Sequence, residues 1–465
     1  MRPGVVMKFG GTSVGSPQAL ARVVAHVTRE TRRPLVVVSA VGGVTDLLLE
    51  AACRARSAEA HDEQVSEIAR RHHAILETFD LGREIIAELE QELSRLLQGV
   101  SMLRELTPRI QDMVVSIGER ISARLVAGAV EHSGQPARAH DAWDLGLCTD
   151  EQHGRAEPLE RSADSIREAL DRLEQGTIPI VTGFIAHSAK GEITTLGRGG
   201  SDFSAALFGV AAQVEEIQIW TDVPGIMRAD PKVVQGPQVI PAMHFDEAAE
   251  LAFFGARVLH PRTVEPARRA GVPVRVLGTF HVDPTDPTPI SRQGTLIDDR
   301  AAAEPVRGMA IHRGVQTLHI HSLGMLEAPG FLARVFEVLA RRRISVDVVA
   351  TSEVSVSMTL DSNGEQLDAA IAELRAFAEV QQVPDRSILC IVGAGLRKDS
   401  AILARIFQIL ADNHVPVRVI SQGASRINIT LVTDPPFAST AMAALYRAFF
   451  RGQAPGSNPS ESMGA

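Results

Sequence analysis

A single lysine set before two glycines is the first group in this chain that could do chemistry. In VMKFGGTS, Val6 to Ser13, apolar residues run into Lys8, then Gly10 and Gly11, then two small hydroxyl residues. Glycine has no Cβ, so backbone N–H groups in such a turn can approach an anion closely. Lysine adds a mobile point charge suited to a phosphoryl group in transfer. The same residues also suit an ordinary strand-to-helix turn with a surface lysine, because short glycine motifs recur by chance. TTLGRGGSD, Thr194 to Asp202, places three glycines around Arg198, then Ser201 and Asp202 ahead of an alanine-rich helical run. Ser or Asp at that point can cap the helix, and the freed N–H groups would make a second anion site. The plainer reading is a capped helix after a loop; an arginine within the glycines favours the anion.

Three further segments carry little by themselves. WTDVPGIMRADPK, Trp220 to Lys232, follows a strand and contains a Pro-Gly turn, as many connecting loops do. MVVSIGER sets Glu119 at a strand or helix end beside a glycine, where an ordinary surface carboxylate would serve. FFGARVLHPRT puts Arg257 after a glycine that interrupts a helix. The His72–His73 pair lies in a charged helical stretch with no partner at ligand spacing, so it reads as solvated rather than metal-binding. The Leu/Ile stripe from Ile85 to Leu97 reads as helix packing.

These segments need elements to hold them. The chain has 465 residues, too many for one ordinary core, so two or three domains are expected. No run is long and apolar enough to span a bilayer, and the start passes directly into a strand-like run rather than a secretory signal. Cys53, Cys148 and Cys390 lie far apart without disulfide or metal spacing, which suits a reducing, cytoplasmic setting. A net charge of −9 and 4% aromatic residues argue against nucleic-acid binding. LVVVSAV (Leu35 to Val41), IPIVTGFIA (Ile178 to Ala186) and VEEIQIW (Val214 to Trp220) read as strands. The first two are nearly continuous in apolar residues, as in a parallel sheet covered by helices on both faces. Residues from about Glu59 to Leu106 read as a helical insertion. Phe280 to Asp299 reads as a turn region, a last strand and a boundary. Residues 451–465 lack any apolar period and read as a disordered tail.

Between boundary and tail lies an internal repeat. The segments starting at Phe331 and Ile402 align without gaps at an offset of 71 residues, apolar to apolar along nearly their whole length. Each has a helix followed by two alternating strands. A preceding strand (Thr317 to His321; Leu389 to Val392) and a following helix give β-α-β-β-α. The first copy has a closing strand near Val380 to Val383, whereas the second runs out of chain. The unpartnered run VRGMAIHR, Val306 to Arg313, is inferred to complete the second sheet, leaving the first copy inserted within the second. At the same offset Asp347 faces Arg418, Ser352 faces Gly423 and Glu353 faces Ala424. The first copy therefore offers carboxylates suited to a ligand with ammonium groups, unless these acids are merely solvated loop residues.

The repeat resembles a tandem of ACT domains, small sheets that pair side by side and bind amino acids at the seam. VMKFGGTS matches the aspartokinase signature in full. TTLGRGGSD, WTDVPGI, the helix before FGARVLHP and the tandem repeat follow in that family's order. The resemblance covers the chain up to the tail and is closest to the monofunctional, lysine-sensitive aspartokinases, with no room for a fused homoserine dehydrogenase.

The resemblance implies an α/β amino-acid-kinase three-layer sandwich with a mainly parallel sheet, followed by two ferredoxin-like βαββαβ ACT domains. It implies a catalytic domain at 1–300, with an aspartate lobe to about 195 and a nucleotide lobe from about 196. The first ACT domain would cover 315–385, and the second 306–314 plus 386–450. The implied reaction is ATP-dependent phosphorylation of the L-aspartate β-carboxylate, the first step toward lysine, threonine and methionine, with Mg2+ as cofactor. Lys8 would bind the γ-phosphate, with Gly10 and Gly11 as backbone donors. Arg198 would clamp the aspartate carboxylate and Glu119 its ammonium group, while Ser39, Thr45 and Ser201 would contact the substrate. Asp202 would organise Lys8 or the magnesium; no protein metal ligand is implied beyond that. Thr221, Asp222, Met227, Lys232 and Arg257 would hold the nucleotide. Relatives often have tyrosine at Met227, arginine at Lys232 and lysine at Arg257, so nucleotide affinity is expected to differ while activity remains.

In lysine-sensitive relatives the first ACT domain holds lysine. The matching positions here are Ser322, Met325, Leu326, Val346, Asp347, Ser352 and Glu353. A homodimer through the ACT domains is implied, with a tetramer in the presence of inhibitor. Alternatives are regulation by threonine, a sister kinase acting on glutamate or a carbamate, and an amino-acid sensor without catalysis. The sister kinase would lack the ACT tandem, and the sensor would lack Lys8, Arg198 or Asp202.

Overall fold

The valine-rich runs of the N-terminal half become parallel strands buried on both faces, as their lack of polar alternation requires. The computed structural model describes residues 2–255, 261–286, 288–300, 304–326, 329–361 and 364–451. The first of its two units comprises Met1–Ile226, Pro241–Ala249 and Arg257–Ala301. Its strands are β1 (Val5–Phe9), β2 (Pro34–Val38), β3 (Ala137–His140), β4 (Cys148–Thr149), β5 (Ile178–Thr182), β6 (Ile185–Ser188), β7 (Ile193–Thr195), β8 (Glu216–Thr221), β9 (Ala242–Met243), β10 (Val274–Gly278) and β11 (Thr295–Ile297). Its helices are α1 (Pro17–Arg29), α2 (Val44–Arg56), α3 (Asp62–Thr78), α4 (Glu84–Leu103), α5 (Pro108–His132), α6 (Ser162–Asp171), α7 (Gly200–Ala212), α8 (Phe245–Phe254) and α9 (Pro261–Ala270), the unit boundary falling within α8.

The main sheet has the order β3-β5-β2-β1-β8-β10-β11-β9. It is parallel from β3 to β10, and β11 runs antiparallel to β10. Successive strands first add on one side of β1 and then, from β8, on the other. The direction therefore reverses at β1–β8, and ligands of open α/β sheets bind at the carboxyl ends beside such a point. Val5, Met7 and Phe9 enter a core with Leu20 of α1, Leu48 of α2 and Ile117 and Ile121 of α5. Strand alternation then puts Val6 and Lys8 on the other face, where α7 packs on β1. Helices thus cover both faces of the sheet.

Three local expectations change. The run Ile178 to Ala186 is two strands, β5 and β6, in different sheets, because Phe184 adopts φ +66° between them and turns the chain. Glu119 lies in the interior of the 25-residue helix α5, not at an element end. His72 is fully buried, with neither ring nitrogen bonded, and burial pushes its pKa down to about 3. It is a neutral core residue rather than a solvated one, whereas His73 reaches Glu90 at 3.0 Å. The expected insertion between Glu59 and Leu106 forms α3 and α4.

The second unit comprises Met227–Ile240, Glu250–Ala256 and Ala302–Ala465. It contains β12 (Gly308–His321), α10 (Phe331–Arg341), β13 (Val349–Thr351), β14 (Ser355–Leu360), α11 (Glu365–Leu374), β15 (Glu379–Val392), α12 (Ser400–Asp412), β16 (Val419–Ser421), β17 (Asn428–Thr433) and α13 (Pro435–Phe450). One sheet of order β13-β14-β12-β15-β17-β16 serves both βαββαβ repeats. Residues 316–321 of β12 pair with β14, and 308–313 pair with 387–392 of β15. The register shifts between Arg313 and Thr317 mark where the strand passes from one repeat to the other. Leu318, Ile320, Val335, Leu339 and Leu374 form one core, and Leu389, Ile391, Ile406, Leu431 and Leu445 the other. Ala229 and Val234, from the segment that leaves the first unit, pack into the second of these cores. The tail expected at 451–465 lies outside the described residues apart from Arg451.

Candidate active site

Two loops at the carboxyl ends of β1 and β2 meet backbone to backbone, and this contact explains the glycines. A Cβ on Gly11 would stand 3.0 Å from the Ala40 carbonyl, and one on Gly42 would stand 3.1 Å from the Gly11 carbonyl. The Gly10 N–H donates to the Trp220 carbonyl at the end of β8, 3.4 Å away. Lys8 projects from β1 past Gly10, where a Cβ would stand 3.4 Å from its Nζ. Its Nζ meets Asp202 Oδ1 at 2.6 Å, with the two side chains 12% and 14% exposed.

Asp202 stands in the first turn of α7, where the helix dipole favours a negative charge. Gly199, in the left-handed region at φ +73°, is the N-cap, so Ser201 and Asp202 lie inside the helix and neither caps it. Close approach of α7 is possible because Gly183 lacks a side chain; a Cβ there would fall 2.7 Å from Ser201 Cβ. Ser204, fully buried, accepts the Phe184 N–H at 3.1 Å and donates to the Gly200 carbonyl at 3.0 Å. Arg198 is exposed, with no side-chain partner among the described residues, and so is available to an anion.

Glu119 comes to the same edge from α5. Gly118 lets the helix press on the β2 exit loop, a Cβ there lying 2.9 Å from Ala40 Cβ. Glu119 Oε1 accepts the Ala40 N–H at 3.2 Å, while Oε2 is buried without a partner. Burial raises its pKa from 4.5 to about 8, only partly opposed by the Ala40 bond. A buried acid with one unsatisfied oxygen could accept a hydrogen bond from a cationic group, whose arrival would favour the ionised form. Ser39 follows β2, its N–H on the Phe9 carbonyl at 3.1 Å, and Thr45 opens α2. Thr221 ends β8 and donates its hydroxyl to Asp222 at 3.0 Å.

The remaining nucleotide candidates divide differently. Met227 bridges Val239, and the Lys232 N–H bonds the Asp230 carboxylate at 2.8 Å; both residues belong to the second unit. Arg257 lies outside the described residues. Among the described residues no group of three acidic, histidine or cysteine side chains could cage a metal. Gly15, Gly42, Gly183 and Ser204 were not singled out by sequence reading. The glycine pair in SAVGG was the visible signal for Gly42 alone.

In the first ACT repeat, Ser322 donates to the Phe377 carbonyl at 3.4 Å and Ser352 shares a 2.7 Å hydroxyl contact with Ser355. Met325 and Val346 pack on the repeat's core, and Leu326 and Glu353 are exposed. Asp347 Oδ2 is buried and unbonded, and burial together with Asp361 raises the carboxyl from 3.8 to about 6, His312 opposing. At the matching position of the second repeat, Arg418 binds Asp434 at 2.8 Å, and Arg386 also reaches Asp434.

Residues 3–278 match the amino acid kinase family, and residues 318–376 and 389–449 match the ACT domain. Over 96% of its length the chain is 38% identical to aspartokinase 2, chloroplastic, of Arabidopsis thaliana, covering 84% of that protein. It is 36% identical to lysine-sensitive aspartokinase 3 of Escherichia coli, over 96% of this chain and 99% of the relative. The chain belongs to the aspartokinase family. The solved E. coli aspartokinase III in complex with aspartate and ADP (R-state) is similar to this aspartokinase with a TM-score of 0.80 and 34% identity, covering 96% and 99% of the two chains. The same E. coli protein in complex with lysine and aspartate (T-state) gives 0.78 and 35%, with the same coverage. No helix among the described residues is long and apolar enough to cross a membrane.

The Glu119 carboxyl makes stability depend on pH. Its raised pKa adds stability that is complete below the unfolded value of 4.5 and is lost as pH rises toward about 8. Glu119→Gln is expected to flatten this slope, so that ligand-free variant and native chain diverge between about pH 4.5 and 8 in denaturant unfolding.

Proposed function

We propose that this aspartokinase transfers the γ-phosphoryl group of ATP to the β-carboxylate of L-aspartate, giving 4-phospho-L-aspartate and ADP. A carboxylate oxygen forms the new P–O bond, the bond to the β,γ-bridging oxygen breaks, and ADP leaves with that electron pair. The nucleophile has an ordinary pKa of about 3.9 and is already ionised, so no general base is required. The obstacle is repulsion between two anions, and the site answers it with cations and N–H donors.

The Lys8–Asp202 pair carries the reading, because it holds an ammonium group at the carboxyl edge where phosphate would lie. Lys8 meets the γ-phosphate, with the Gly11 N–H as backbone donor, and Asp202 fixes the lysine; Gly10, expected as a second donor, has its N–H on the Trp220 carbonyl and instead leaves room beside the ammonium group. Arg198 holds the α-carboxylate and Glu119 the ammonium group. Ser39, Thr45 and Ser201 complete the substrate side. Thr221 and Asp222 face the nucleotide, with Met227, Lys232 and Arg257 as its further contacts. Mg2+, when bound, neutralises phosphate charge; without a protein cage it suits the phosphates and their water, with Asp202 nearby.

Catalysis is assigned to residues 1–300. The ACT domains are assigned to 315–385 and to 306–314 with 386–450, supported by the pairing of 308–313 with 387–392. Lysine is the proposed inhibitor, bound at Asp347 with Ser322, Met325, Leu326, Val346, Ser352 and Glu353. Its support is the unbonded Asp347 oxygen, together with the lysine-sensitive E. coli relative. Exposed Leu323, Leu326, Leu332 and Phe336 support pairing of this repeat with a second copy, in a cytoplasmic homodimer.

The decisive measurement traps product with hydroxylamine in the presence of ATP, Mg2+ and aspartate. Hydroxamate is expected with aspartate, suppressed by lysine; product only with another amino acid overturns the substrate, and suppression by threonine alone overturns the inhibitor. Lys8→Ala is expected to lower kcat by about 10²–10³-fold, the scale of losing one transition-state donor. Because Asp347 must ionise to hold an ammonium group, lysine inhibition is expected to weaken as pH falls through about 6, and Asp347→Asn to abolish that dependence.

A further inference from the structure

Asp112 is the most heavily bonded carboxylate near the site, and nothing in the proposed reaction uses it. It lies early in α5 and is 2% exposed. Oδ1 accepts the Thr195 hydroxyl at 2.7 Å. Oδ2 accepts His153 Nδ1–H at 2.9 Å, the Gly154 N–H at 3.0 Å and the Thr195 N–H at 3.3 Å. Two of those donors come from Thr195, the last residue of β7, three residues before Arg198. The Gly154 side of the network reaches the same loop. Gly197, at φ +74°, sits so close that a Cβ there would be 3.1 Å from the Gly154 carbonyl. One buried anion thus fixes both strands of backbone that lead into and brace the glycine–arginine loop.

The other end of the argument is Glu119. It lies seven residues further along α5, two helical turns, on nearly the same face and about 10 Å along the axis. A single rigid helix therefore carries the ammonium receptor and the anchor of the carboxylate clamp. We infer that Asp112 is a positioning residue that sets the spacing between Arg198 and Glu119, and through it the affinity for the α-amino-acid head of the substrate. This rests on the proposed roles of Arg198 and Glu119. A carboxylate suits the task because it is acceptor-only when ionised, and all four groups facing it are donors. An amide of the same shape would turn N–H groups toward N–H groups on one side.

The test is steady-state kinetics of the full chain with aspartate and ATP varied separately. Asp112→Asn is expected to raise the aspartate KM about tenfold or more and to leave the ATP KM within about twofold, since a loop shifted by a fraction of an ångström misplaces one substrate only. Thr195→Val, which deletes one donor with little change of shape, should raise the aspartate KM in the same direction by less, and Thr195→Ser should restore it. In an Arg198→Ala background Asp112→Asn should add nothing further to the aspartate KM, whereas a merely structural residue would add its full effect. If Asp112→Asn fails to fold, the Thr195 pair decides. An aspartate KM raised by Arg198→Ala but unmoved by Asp112→Asn or Thr195→Val overturns the anchor alone, as do equal rises for both substrates. An aspartate KM unmoved by Arg198→Ala overturns the clamp assignment, and the anchor with it.

Discussion

The catalytic unit depends on one ion pair that crosses from sheet to helix. Lys8 leaves β1 on the face that α7 covers, and Asp202 meets it from the first turn of that helix. A lysine without a partner there would be poorly solvated against an apolar helix. An aspartate alone at the same place would repel the phosphate proposed to bind there. Together they place a positive charge at the carboxyl edge while the pair stays near neutral when no ligand is present. The glycines follow from this requirement. Gly183 admits α7, Gly11 and Gly42 let the β1 and β2 loops touch, and Gly10 leaves room beside the ammonium group.

Glu119 meets an opposite demand. Its burial in α5 makes the charged form unfavourable in the empty protein, and the single bond from Ala40 does not offset that. A ligand ammonium would supply the missing partner to Oε2. Affinity there is then a difference between two costly states, which makes it sensitive to where the ammonium group sits. That sensitivity gives the spacing of α5 and the arginine loop its importance, and Asp112 is the group that connects them.

Much of this was legible in the residues. Continuous apolar runs declared the parallel strands, glycines beside Lys8 and Arg198 declared two tight turns at the helix starts, and the 71-residue offset declared the repeat. What stayed hidden depends on distant segments meeting. MVVSIGER gives no sign that Glu119 is the buried face of a long helix, because its neighbours Gly118 and Ala40 are 78 residues apart. Asp112 looks like any helix-start acid until His153, Gly154 and Thr195 arrive around it. His72 reads as polar because its own segment is charged, yet the helix turns it into the core. The break in IPIVTGFIA is invisible to hydropathy, since Phe184 is apolar whether the chain extends or turns.

The shared sheet of the second unit gives the two ACT repeats unequal roles within one framework. β12 and β15 each run through both repeats, their register shifting between Arg313 and Thr317. The polar groups at the matching positions are not equivalent. Asp434 already has Arg418 and Arg386, and a cationic ligand there would have to displace arginines that belong to the chain. Asp347 has a buried oxygen with no bond, a second carboxylate nearby in Asp361, and only His312 opposing. An unsatisfied buried acceptor is costly, and a ligand that satisfies it recovers that cost on binding. At these matched positions the second repeat carries its own arginines on Asp434, whereas the first leaves the Asp347 oxygen unbonded, the difference on which the proposed cationic ligand rests.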